Sequence, residues 1–398
     1  MGGVRGVGVM INVFQPCLGD EELEAVRETF ASSWVGHGPR TVAFEEQFAD
    51  HLGVPPEHVV YLNSATSGLF LAMELLEIGP GDDVVLPSVN FIAGANAVMA
   101  AGGRPVFCDV EPRTLNPTVA HIEQALTPRT KAVMVLHYGG RPGDIVGIAA
   151  LCRERGIPLI EDAALSLASE VDGAKCGTFG DIAVWSFDSR KIITTGDGGM
   201  IYVRDPGLAR RCYRLAYHGL EDRSAFITAG KGQPRWWTPD VQDFGRRLIG
   251  NDMTAAIGTA QLRRLPGFID RRREIAAQYD RLLAGADGVS LTPPLPDGHT
   301  TSHYFYWVQL DAAIRDQVAA DLLARGVYTA YRYFPLHRVP LYRAGGDLPG
   351  TDEAAGSTLL LPLHPALDDA DVRTVADELR KVVEDLSSAG RPSADALA

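Results

Sequence analysis

Leu159-Ile160-Glu161-Asp162-Ala163-Ala164 joins an unbroken apolar pair to two adjacent carboxylates and then to small residues. A strand with one face in water alternates apolar and polar side chains, whereas an unbroken run belongs to a strand covered on both faces. Runs of that kind recur at Val59–Leu62, Val84–Leu86, Val106–Val110, Ala132–Leu136, Ile182–Phe187 and Met200–Val203. Between them, helical spacing marks Ser67–Leu76, Phe91–Ala101, Val119–Leu126 and Ile145–Arg155. Strands and helices in alternation predict an α/β fold with a mainly parallel, helix-covered sheet. Ligands of such sheets bind beyond the carboxyl ends of the strands, so polar residues just after each run are the candidates.

Working outward, Glu21–Ser32 follows Gly19-Asp20 and Thr41–Leu52 stops at Gly53; both predict helices. Asp205–Asp243, rich in Arg and containing Trp236-Trp237, predicts irregular structure at an interface or lid. From Asn251 a long helical run, Met253–Leu265, Pro266, then Phe268–Leu283, leads into a second unit. That unit has a strand at Tyr304–Leu310 and helices at Ala312–Arg325 and Asp369–Leu386, followed by a disordered tail, Ser387–Ala398. At 398 residues the chain predicts two domains, residues 1–250 and 251–398, with no internal repeat.

A chain that is 46% hydrophobic and 22% charged is an ordinary globular enzyme in composition. Its formal charge of −13 argues against nucleic acid or a membrane surface as partner. The five cysteines contain no C-x-x-C pair, which fits a reduced cytoplasm without a disulfide framework or zinc site, and no metal is expected. Met1–Val13 does not read as a signal peptide, and no stretch of ~20 apolar residues predicts a membrane span. Of 37 basic residues only five are Lys (Lys131, Lys175, Lys191, Lys231, Lys381), so each is a candidate for work that needs an amine, which Arg cannot supply as a nucleophile.

Four segments could carry chemistry. Ser186-Phe187-Asp188-Ser189-Arg190-Lys191 puts a hydroxyl at a strand end and an amine five residues on, before Ile192-Ile193 and a turn ending Gly198-Gly199. An amine in partly apolar surroundings can form a Schiff base; a strand-loop-strand hairpin with an exposed Lys is the plain alternative. Glu161-Asp162 could keep a ring nitrogen protonated, or cap the next turn. Asn63-Ser64-Ala65-Thr66-Ser67-Gly68 offers hydroxyls and helix-start amides to a phosphate, or is a simple cap. Phe91, after Pro87-Ser88-Val89-Asn90, could stack on a ring or belong to the core. Gly3, Gly6 and Gly8 have dinucleotide-like spacing with no helix behind them, and no GxxxxGK[ST] loop is present. In chain order the four segments are cradle, stack, carboxylate and amine.

Further segments complete the pattern: Ser33-Trp34-Val35-Gly36-His37-Gly38-Pro39, Gly79-Pro80-Gly81-Asp82-Asp83-Val84, Pro105-Val106-Phe107-Cys108-Asp109-Val110, Gly139-Gly140-Arg141-Pro142-Gly143-Asp144, Ala255-Ala256-Ile257-Gly258, Phe334-Pro335-Leu336-His337 and Leu361-Pro362-Leu363. From Gly19 to about Val383 the chain resembles the DegT/DnrJ/EryC1/StrS sugar aminotransferases of the aspartate-aminotransferase fold, fold type I. The resemblance implies a seven-stranded central sheet with a smaller α+β C-terminal domain, and pyridoxal phosphate as cofactor. It makes Lys191 the catalytic Schiff-base residue and Asp162 the partner of the pyridine nitrogen. Ala65, Thr66 and Ser186 become the phosphate cradle and Phe91 the stacking ring. Dehydratases of the family carry His for the lysine, so Lys191 favours transamination. There are departures: Leu165 stands where Gln or His commonly meets the phenolic oxygen, and Asp188 where an aromatic or His is common. Arg247 replaces an Asn that a neighbouring subunit brings to the phosphate, and Tyr331-Arg332-Tyr333 replaces His-Tyr-Pro beside the sugar.

The resemblance further implies L-glutamate as donor and a keto-sugar nucleotide as acceptor, with Lys191 moving the proton. The expected acceptor is a dTDP-4-keto-6-deoxyhexose in amino-deoxysugar biosynthesis. A 3-keto sugar nucleotide, a keto-inositol, and a non-catalytic cofactor-binding homologue are alternatives; a dehydrogenase-like protein rests on the strand–helix alternation alone. Tyr331, Arg332 and His337 are substrate candidates, and Arg332, Arg338 and Arg247 are candidates for the diphosphate. A cytoplasmic homodimer with shared active sites completes the expectation.

Overall fold

The computed structural model describes residues 10–222, 229–230, 232, 235–342 and 345–389. The glycines of the start, Lys231 and the expected tail from residue 390 onward lie outside the described residues.

Seven strands form the central sheet: β1 (Val59–Leu62), β2 (Asp83–Pro87), β3 (Arg104–Cys108), β4 (Thr130–Leu136), β5 (Leu159–Asp162), β8 (Ile182–Ser186) and β9 (Gly199–Val203), in the order β1-β9-β8-β5-β4-β2-β3. Strands β3, β2, β4, β5 and β8 pair in parallel. Every residue of β1, β2, β5 and β9 is buried, as an unbroken apolar run requires. Only β9 opposes its neighbours. The β8–β9 loop, residues 187–198, carries no helix to cross the sheet, so the chain turns back beside β8.

Helices cover the sheet: α1 (Asp20–Ala31), α2 (Pro39–Leu52), α3 (Ala65–Leu75), α4 (Ile92–Ala100), α5 (Val119–Ala125), α6 (Ile145–Arg155) and α7 (Pro206–Leu215). Helix α7 corrects the expectation of irregular structure from Asp205. Asp205 accepts the Leu208 amide at 2.8 Å and Pro206 takes the first turn, a start signal hidden by the arginines around it. The long helix α8 (Asp252–Leu283) runs unbroken through Pro266, which is exposed with Gly267, so the missing amide falls on the solvent side. Asp252 of α8 also caps α2, accepting the Thr41 amide at 2.9 Å and its hydroxyl at 2.7 Å.

Beyond α8 a small antiparallel sheet, β10 (Ser290–Leu291), β12 (Tyr306–Gln309) and β13 (Thr358–Leu361), packs with α9 (Arg315–Ala324) and α11 (Asp369–Ala389). Its core unites Tyr279 and Leu283 of α8 with Val308, Leu322 and Leu379. Helix α11 extends past Leu386 into the expected tail. The sequence reading passed over α10 (Pro349–Ser357) and a second sheet of β6 (Glu170–Val171), β7 (Ala174–Lys175) and β11 (His299–Thr300), whose two-residue strands are too short to show a period. Ile11 pairs with the C-terminal unit, donating to Gly326 O at 2.9 Å and accepting from the Tyr328 amide at 2.9 Å.

Candidate active site

Strand alternation separates the two carboxylates that end β5. Glu161 accepts the amides of Gly177, Phe179 and Gly180 at 2.7, 2.8 and 2.6 Å and meets His137 Nε2 at 2.9 Å. It is fully buried and saturated, hence structural. Asp162 is also buried, accepts the Ala164 amide at 3.1 Å, and lines a cavity. Burial pushes its carboxyl up; the Ala164 amide and the charges of Lys191 and His137 oppose that shift.

The β8–β9 connection is a hairpin, as the plain alternative supposed, but its lysine is half-buried in the same cavity as Asp162. The loop is held by Phe187 N to Gly198 O at 2.9 Å, Thr195 N to Phe187 O at 3.0 Å and Lys191 N to Asp188 O at 2.9 Å, with Ile192 and Ile193 buried beneath. Lys131, Lys175 and Lys381 are each paired with a carboxylate: Asp82, Glu170 and Glu378. Among the described residues Lys191 has none; its amine lies 5.1 Å from the Tyr304 ring centroid.

Gly199 brings the third group in. It pairs with Leu62 on one side and Ser186 on the other. A Cβ here would stand 2.4 Å from the Ala65 nitrogen and 2.5 Å from the Ser64 carbonyl carbon. Only glycine therefore lets the start of α3 settle against β9 beside Ser186. Ser64 caps that helix by accepting the Ser67 amide at 3.1 Å. The Ala65 and Thr66 amides, in the first turn, have no intrahelical acceptor, and both residues line the cavity.

The cavity, about 250 Å³, thus joins Ala65, Thr66, Asp162, Ser186 and Lys191. Phe91 and Tyr333 close one side with ring centroids 5.6 Å apart, and Leu165 is a buried wall residue. Of the other sequence candidates only Arg332 reaches this space. His337 is buried against Ser88, Nδ1 to Oγ 2.7 Å, and Arg338 pairs with Asp352 at 2.7 Å. Tyr331 faces Arg315, whose guanidinium is 5.4 Å from its ring, and Arg247 lies 5.5 Å from the Tyr217 ring. Arg190, Asp197 and Tyr304 also line the cavity and were given no role; Arg190 lies inside the Ser186–Lys191 segment and Asp197 in the turn after it, whereas Tyr304 was read only as the start of a strand.

A half-buried amine, a buried carboxyl and the start of α3 thus meet at one end of a mainly parallel, helix-covered sheet. The DegT/DnrJ/EryC1/StrS aminotransferase family model matches residues 16–380, and the chain belongs to that family. It is 64% identical, over 94% of its length and 97% of the relative's, to the dTDP-4-dehydro-2,3,6-trideoxy-D-glucose 4-aminotransferase of Saccharopolyspora spinosa. The aminotransferase TlmJ from Streptoalloteichus hindustanus superposes with a TM-score of 0.91 at 58% identity, covering 95% of this chain and 100% of that one. DesV of S. venezuelae, solved in complex with a ketimine intermediate, gives 0.82 at 30% identity over 92% and 94% of the two chains. Aminotransferases of the family depend on pyridoxal phosphate, and the chain is an aminotransferase.

Proposed function

We propose that this enzyme uses pyridoxal phosphate to move the amino group of L-glutamate onto C4 of a dTDP-4-keto-6-deoxyhexose, of which the 2,3,6-trideoxy sugar named for the Saccharopolyspora spinosa relative is the first choice. The observation that carries the cofactor assignment is Lys191, the described lysine with no carboxylate, sharing a cavity with buried Asp162. The donor set fits: an amine for the aldehyde, a carboxyl for the ring nitrogen, and a helix start that any Cβ at position 199 would push off β9. The cofactor supplies an aldehyde that captures amino groups and a ring that withdraws electrons from the carbon being deprotonated. Lys191 would take that proton from the donor's α-carbon and return it to the former aldehyde carbon, on the far side of the intervening nitrogen. Asp162 would keep the ring nitrogen protonated, the Ala65 and Thr66 amides and the Ser186 hydroxyl would hold the phosphate, and Phe91 would cover the ring. Arg190, which lines the cavity with its side chain 57% exposed and Asp188 4.0 Å away, would meet the nucleotide diphosphate.

The purified protein is expected to be yellow, to lose that colour with L-glutamate, and to regain it with the keto-sugar nucleotide, the aminated carbon being read by NMR. A colourless protein, or a colour that ignores every amino acid, removes the reading. We further propose a cytoplasmic homodimer in which Arg247 reaches the neighbour's phosphate cradle. No helix among the described residues is long and apolar enough to cross a membrane.

A further inference from the structure

Arg332 shares the cavity with Lys191 and Asp162, yet among the described residues no carboxylate lies within ion-pairing range of its guanidinium. The side chain is placed rather than loose. Its guanidinium carbon is 4.9 Å from the Phe14 ring centroid, and its backbone carbonyl accepts the Tyr138 hydroxyl. An oriented guanidinium fork matches a carboxylate bidentately, and the aromatic backing adds to the orientation. We infer that Arg332 docks the α-carboxylate of the amino donor, an assignment that rests on the aminotransferase reading above.

Two considerations choose this anion over the diphosphate. At about 250 Å³ the cavity is smaller than the ~300–1,000 Å³ of clefts that enclose drug-sized ligands. Its walls therefore surround the cofactor ring and the reacting end of a substrate, leaving the nucleotide toward the open side. In a 4-keto hexose the diphosphate hangs on the anomeric carbon, across the ring from the reacting carbonyl. An amino acid's carboxylate is bonded to the reacting carbon itself. A cation beside the lysine therefore meets the near anion. Because the sugar brings no carboxylate there, Arg332 serves the donor half of the cycle.

The two half-reactions of the cofactor-loaded protein are measured separately for wild type, Arg332→Gln and Arg332→Lys. Retained yellow colour in both variants shows an intact cavity. Arg332→Gln is expected to lower kcat/KM for L-glutamate by roughly 10–150-fold, the range for losing a charged hydrogen bond, with Lys restoring part of it. The return half-reaction with the keto-sugar should change by less than about threefold, one unit of ordinary mutational scatter. Calorimetry with glutarate, the donor skeleton without its amine, should show the same weakening without turnover. Equal loss in both halves, loss confined to the sugar half, or unchanged glutarate binding would overturn the assignment. A wild type that no amino acid converts would instead bring down the aminotransferase reading itself.

Discussion

Lys191→Ala tests the amine directly: colour should vanish and transamination should fall by at least about 100-fold, the lower end of what positioned acid–base groups contribute. Neighbouring Glu161 and Asp162 should behave as opposites despite sharing a peptide bond. Asp162→Asn keeps the shape but cannot carry the charge, so turnover should drop by about 10²–10³ with stability little changed. Glu161→Gln places an amide among three donated N–H groups, so it should cost about 1–3 kcal/mol of unfolding free energy by denaturant titration. If Glu161→Gln spared stability while Asp162→Asn unfolded the protein, the division of roles made here would be wrong. The two acids were legible as a pair at a strand end. The family resemblance singled out Asp162; apolar patterning alone could not, because the choice depends on the neighbours each face meets.

Elements are joined by a few polar bolts. Asp83 opens β2 and accepts Arg104 of β3 at 2.8 and 2.7 Å and the Thr127 hydroxyl at 2.6 Å. The Arg104 hydrogen bonds, opposed by burial and helped by Thr127, hold its carboxyl down to about 2. A depressed native pKa stabilises above the ordinary carboxylate value, and that stability is lost as pH falls toward about 2. Asp83→Asn should therefore cost about 1–3 kcal/mol near neutrality, and the gap from wild type in denaturant titrations should narrow from about pH 4 downward. A gap that held constant down to pH 2 would dismiss the Asp83 carboxylate as its source. Gly199→Ala drives a methyl into the start of α3, so it should cost about 1–3 kcal/mol as overpacking and make the cofactor dialysable. Unchanged cofactor retention would contradict the cradle. Most elements were readable from unbroken apolar runs. Asp205 and Pro206 signalled α7 as well, but a local excess of Arg hid the pattern.

At the scale of the whole molecule, Trp237 and Phe244 are 64% and 104% exposed in the single chain, on the segment that also carries Arg247. Large apolar side chains in that position favour a partner. If a second copy is that partner and Arg247 crosses to its cradle, Lys191→Ala and Arg247→Ala chains, each impaired at limiting cofactor, should complement when mixed and reassociated. Half of the dimers would be mixed, each with one intact site of two, so about a quarter of the sites should recover. No recovery on mixing would rule out a shared site.

By itself the sequence determined the buried parallel sheet, the order of its helices and the chemical types at its strand ends. Those follow from apolar periodicity and from local cap and turn chemistry, which neighbouring residues settle among themselves. Tertiary structure alone decided that Glu161 is taken up by three loop amides, that Gly199 seats α3 beside Ser186, and that Arg332 enters the cavity while Arg338 and His337 do not. Each of those outcomes depends on which residues, far apart in the chain, compete for one small volume, and that competition exists only once the sheet has closed under its helices.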